Sequence, residues 1–158
     1  MKHRNVAILT VAAFAACASG GGRGSAVYQR EIGNASATDA VSRALLILSR
    51  NHFEVYQQEA APFIRIETHW RTRRPFTDEV ALGITNAESR VIVTARVRGE
   101  TDVGSVYSVR MAVENRVKVG ENMEWNDRTN TPMFRKFAEE MTGQFRTELI
   151  NIGVRRYQ

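Results

Sequence analysis

The spacing of apolar positions changes along this chain, and each spacing predicts a different element. Val6 to Ala16 is a continuous apolar run, broken only by Thr10. A glycine-rich stretch, ASGGGRGS, follows at 18–25. AVYQREI at 26–32 reads as a short first strand. Val41, Ala44, Leu45 and Leu48 then recur at helical spacing, which predicts a helix over 37–51. Ser36 and Asp39 stand before it in the arrangement of a capping box. Strand character begins at HFEVYQQ.

Three later segments alternate with period two. In 63–73, Ile64, Ile66, Thr68, Trp70 and Thr72 share one face, and Arg65, Glu67, His69, Arg71 and Arg73 share the other. In 90–98, Val91, Val93, Ala95 and Val97 oppose Arg90, Thr94, Arg96 and Arg98, with Ile92 the exception. In 106–119, Tyr107, Val109, Met111, Val113, Val117 and Val119 oppose Arg110, Glu114, Arg116 and Lys118. Alternation with one wet face predicts antiparallel strands packed on one side only. RGETDVGS at 98–105 supplies the turn between the last two. The connection 74–89 holds Pro75 and a candidate short strand at 80–84. Thr131 suits an N-cap and Pro132 a first helical position. Phe134, Phe137, Met141, Phe145, Leu149 and Ile152 then repeat every three or four residues, an amphipathic helix that Gly153 would close. The fold class that follows is α+β: an antiparallel sheet of four to five strands with two helices packed on one face, in the order β-α-β-β-β-β-α.

Composition sharpens the picture at the N-terminus. The chain has 158 residues and one cysteine, Cys17, so no internal disulfide can form. Lys2, His3 and Arg4 precede the apolar run, which would be about 16 Å long as a helix, roughly half of a bilayer span. A basic start, a short apolar stretch and small residues at its end read as a signal peptide over 1–16. AFAAC, ending in Cys17, resembles a bacterial lipobox, with Phe14 where leucine is commonest. The resemblance implies cleavage before Cys17, lipidation of its thiol and acylation of the new amine. Residues 17–25 would then be a lipidated cysteine on a flexible Gly/Ser tether, and 26–158 a single domain. Ala18 after the cysteine resembles an outer-membrane sorting signal, so the implied location is the cell envelope, at the outer membrane facing the periplasm. Loss of 1–16 lowers the formal charge from +5 to +3.

No catalytic constellation stands out. The glycines at 20–24 lack the Lys-Ser/Thr of a phosphate loop, and there is no nucleophile elbow. His52 with Glu54 and Glu59, or Glu67 with His69, lack a recognised ligand spacing. No metal, cofactor or catalytic residue is therefore expected. Trp125, in the polar loop ENMEWNDR, is expected to plug the core. The unusual feature is arginine, 19 residues against 3 lysines. Arg65, Arg71, Arg96, Arg98, Arg110 and Arg116 should share the outer sheet face and offer guanidinium forks to anions or a partner. A solvated outer face is the plainer reading of the same arginines. Nucleic acid does not suit an exported protein. An envelope assembly protein or an anionic lipid does.

The order of elements over 26–152, with ALLILSRNHFEV at a helix-to-strand junction and IETHW in a strand, resembles small outer-membrane assembly lipoproteins. One is the lipoprotein of the lipopolysaccharide translocon. Another is the helix-grip lipoprotein of the barrel-assembly machine. The resemblance implies a non-catalytic, membrane-anchored protein that binds a partner in outer-membrane assembly or maintenance. The alternative is a small envelope enzyme whose site the sequence does not display.

Overall fold

The computed structural model describes residues 27–156, apart from 103, 122–123 and 128–129. The signal segment, Cys17 and the tether lie outside the described residues. Six strands and three helices follow in order: β1 (Val27–Ala35), α1 (Ala37–Arg50), β2 (Val55–Glu59), β3 (Phe63–Thr68), β4 (Arg71–Arg73), α2 (Thr77–Ala81), β5 (Ile84–Thr101), β6 (Gly104–Val119) and α3 (Pro132–Arg156). All strand pairs are antiparallel. The sheet order is β1-β6-β5-β3-β2, with β4 also on β5. The α+β class, the antiparallel sheet and the two long helices on one face stand as expected.

Local chemistry explains the element ends. Ser36 Oγ accepts from the Asp39 N–H at 3.1 Å and donates to the Asp39 carboxylate at 2.7 Å, which starts α1. At its far end His52 adopts φ 57°. Its N–H reaches Ser49 O, and the Phe53 N–H reaches Leu48 O. This is the paired Schellman closure, with a histidine where glycine is usual. Thr131 caps α3, accepting from the Phe134 N–H through its hydroxyl at 3.3 Å. Gly153 does not end that helix, which runs on to Arg156; the Ile152 side chain lies outside the described ones.

The core sits between the helices and the inner sheet face. Ala40, Ala44, Ile47 and Leu48 of α1 meet Phe134, Ala138, Met141 and Phe145 of α3 over Ile64, Ile66, Val91, Val93, Val109, Met111 and Val113. Every residue of this cluster lies between Tyr28 and Leu149, so the chain from residue 26 onward carries its own core. Val97 and Val119, expected on the core face, are 45% and 42% exposed. Residues 96–101 are all exposed, because the β5–β6 hairpin runs past the helices that cover the rest. The strands also extend into 98–105, so the turn is shorter than expected. The segment 80–84 holds no separate strand: 77–81 is the short helix α2 and β5 begins at Ile84.

One expected strand is broken. Glu67 pairs with Ile92 and Arg71 with Ser89, four residues on one side against three on the other. The extra residue reverses the alternation, since a one-residue slip turns every side chain over. Thr68 Oγ1 accepts the Val91 N–H at the break, at 2.9 Å. Beyond it Trp70 goes to the outer face, and Arg71 and Arg73 go inward, opposite to the expected assignment. Arg71 stacks on Phe53 at 4.3 Å and donates to Asn51 O at 2.6 Å. Burial, and then the nearby Arg73 charge, hold its guanidinium below the usual arginine range.

Candidate anion-binding face

Pairing across the sheet lays the outer side chains out in rows. One row runs Arg65, Thr94, Arg110, Glu31 across β3, β5, β6 and β1. The next, toward the hairpin, runs Phe63, Arg96, Ser108, Asn34. Directly paired residues share a face, so these eight side chains form one surface. Arg98 is the extra residue of a bulge between Val97 and Gly99. Bulges re-aim side chains, and this one brings Arg98 within 3.9 Å of Glu31 and 3.4 Å of Asn34. A second bulge, between Glu31 and Gly33, bends β1 beside it.

The result is an open bowl of about 530 Å³ on the hairpin half of the outer face. Short hydroxyl side chains, Thr94 and Ser108, lie between the long walls of Phe63, Arg65, Arg96, Arg98 and Arg110. Arg96 stacks on Phe63 at 5.1 Å. Arg65 is bonded to Glu67 at 2.6 Å. Among the described residues, no carboxylate stands within ion-pair distance of Arg96 or Arg110.

The other half of the face differs. Glu67 bridges Arg65 and Arg90, each at 2.6 Å, and Arg90 Nε reaches Glu114 at 2.6 Å. Arg116 donates to Glu88 at 2.6 Å. Trp70 lies under both Arg90 and Arg116, at 4.7 and 4.2 Å. Trp125 is brought over the sheet by backbone bonds between Asn126 and Val117. It takes Arg116 and Lys118 on its ring, each at 4.6 Å. The expected core plug is therefore a cover on the outer face. Its signal was present in the alternation of Arg116 and Lys118, which offers two cations to any ring that folds over them.

Of the six arginines singled out by sequence, the structure brings Arg65, Arg96, Arg98 and Arg110 together. Arg116 shares the face but is bound to Glu88 and the tryptophans. Arg71 is on the opposite side of the sheet. Cys17 lies outside the described residues. His52 closes a helix, and His69 meets Tyr56 edge to face at 5.0 Å. Among the described residues no three His, Cys, Asp or Glu side chains gather as a metal site, and no helix is long and apolar enough to cross a membrane. No protein-family model, curated protein or solved structure matches the chain.

Proposed function

We propose that this chain is a non-catalytic, lipid-anchored protein of the cell envelope, held at the outer membrane through Cys17 and binding a partner in assembly or maintenance of that membrane. It meets the partner with the arginine half of its outer sheet face. One observation carries this reading. Glu67, Glu88 and Glu114 neutralise one half of the face, while Arg96 and Arg110 in the other half stand without a carboxylate among the described residues. Cations kept apart from acids in a concave surface favour an incoming anion over mere solvation. The anchor is supported by the basic start, the short apolar run and the lone Cys17 that follows it. Several acyl chains at one cysteine hold firmly, where one alone binds marginally.

The test has two arms. Cys17→Ser should abolish fatty-acid labelling and move the protein from membrane to soluble fractions. A wild type without label, and a variant still sedimenting with membranes, would sink the anchor. Pull-down from detergent-solubilised envelopes should recover a partner that the combined Arg96→Ser, Arg98→Ser and Arg110→Ser variant loses. Equal recovery would place the partner on another surface.

A further inference from the structure

We infer that the bowl framed by Arg65, Arg96, Arg98 and Arg110 is a binding site for a phosphate group. This deepens the reading above by naming the chemistry that the face takes.

Shape comes first. The walls are five-bond arginine arms and a phenyl ring, while Thr94 and Ser108 reach only one atom past Cβ. That difference makes a depression in a sheet that would otherwise be flat. A volume of about 530 Å³ suits a headgroup or a small ligand. A protein partner needs about 800 Å² on each side, so the bowl alone would be only part of such an interface.

Charge comes second. Four guanidiniums line the bowl, with Glu31 the single carboxylate among its lining residues. Glu31 is engaged, accepting from Ser108 at 3.3 Å and facing Arg98. Arg65 is shared with Glu67. The balance left over, centred on Arg96 and Arg110, calls for a ligand of more than one negative charge.

Donor geometry comes third. A carboxylate is planar, and one guanidinium fork matches its two oxygens in that plane. Here the forks come from β3, β5 and β6, around hydroxyls on β5 and β6. Among the described residues the Thr94 hydroxyl has no partner. Donors from several directions match the tetrahedral oxygens of a phosphate. Stacking on Phe63 restrains Arg96 without using its in-plane N–H groups. Part of the ordering cost is thus met before the ligand arrives.

A phosphomonoester on a lipid and a soluble phosphate share this chemistry, and the experiment separates them. Residues 26–158, which hold every core residue among the described ones, are titrated calorimetrically with inorganic phosphate and with glycerol phosphate. The same protein is sedimented with phosphatidylcholine vesicles carrying either phosphatidic acid, a monoester, or phosphatidylglycerol, a diester. Phosphate binding is expected in at least one format. Arg96→Ser with Arg110→Ser should weaken it at least tenfold, with an unchanged melting curve. Arg135→Ser, an exposed arginine on α3, should leave it unchanged. Preference for phosphatidic acid vesicles over soluble phosphate identifies a lipid headgroup, and the reverse a soluble ligand. Equal sedimentation with both anionic vesicles, indifferent to the double variant, overturns the site in favour of diffuse surface charge. No binding in any format also overturns it, and the partner-binding reading is then judged separately by the pull-down.

Discussion

At the scale of residues, the clearest lesson is Arg73. All five of its N–H donors are used. Nε bonds Ser89, one terminal nitrogen bonds Glu79 and Arg74 O, and the other bonds Glu79 and Asn115. Glu79 is completely buried, and also accepts from Asn115 and from the Phe76 N–H. The ring of Phe76 covers the guanidinium at 4.2 Å. This cluster pins α2 and the 74–83 connection to the sheet. A buried pair adds little over an apolar substitute, but losing one partner leaves a charge without compensation. Arg73→Met should therefore cost about 3–5 kcal/mol, read as a fall in the urea midpoint. Arg74→Met, one residue away and exposed, should change stability by no more than about 0.5 kcal/mol. Equal effects at the two positions would mean that Arg73 does not face the core.

At the scale of elements, what the sequence disclosed depended on uninterrupted periodicity. Helix α1, the helix from Pro132, and the faces of Val91 to Ala95 and Tyr107 to Val113 follow from spacing alone. They came out as expected because each buries one side in the same core between helices and sheet. The break at His69–Trp70 did not announce itself, since RTR alternates as well with its arginines out as in. The inward choice becomes favourable through distant partners: the Glu79 carboxylate of α2 for Arg73, and Asn51 O with the Phe53 ring for Arg71. The bowl was half legible for the same reason. Alternation placed Arg65, Arg96, Arg98 and Arg110 outward, but the bulge that brings Arg98 beside Glu31 and Asn34 is a property of pairing. Within α3, Gly143 is exposed and an added Cβ would meet nothing within 4 Å. Gly143→Ala should therefore stabilise the protein by about 1 kcal/mol, the ordinary helix-propensity difference. Thermal melting would show this as a rise of a few degrees; a fall would mean that the helix turn around Gly143 contacts something its open surface does not reveal.

At the scale of the whole molecule, the sheet separates two tasks. Its inner face is given to α1 and α3, and the fold rests there. Its outer face carries a neutral, tryptophan-covered half and a cationic half. The first strand begins at Val27, whose partner Glu114 belongs to the neutral half. From Cys17 to Val27 the chain can span at most about 35 Å, so the proposed lipid anchor would keep the bowl, a few residues further along β1, near the membrane. Arg96 and Arg110 are diagonal neighbours, since Arg96 pairs with Ser108 and Arg110 with Thr94. Like charges at that spacing repel, a cost that the proposed anion would relieve. The last prediction follows. Salt screens exposed charges over about 8 Å at physiological strength, so raising it from low levels should stabilise the wild type. The combined Arg96→Ser, Arg98→Ser and Arg110→Ser variant should be at least as stable as the wild type at low salt, and should respond less to added salt. Urea midpoints at two salt concentrations measure both effects. A triple variant less stable than the wild type at low salt by more than about 1 kcal/mol would exceed what exposed substitutions ordinarily do; these arginines would then be holding the fold, with no charge held in reserve for a ligand.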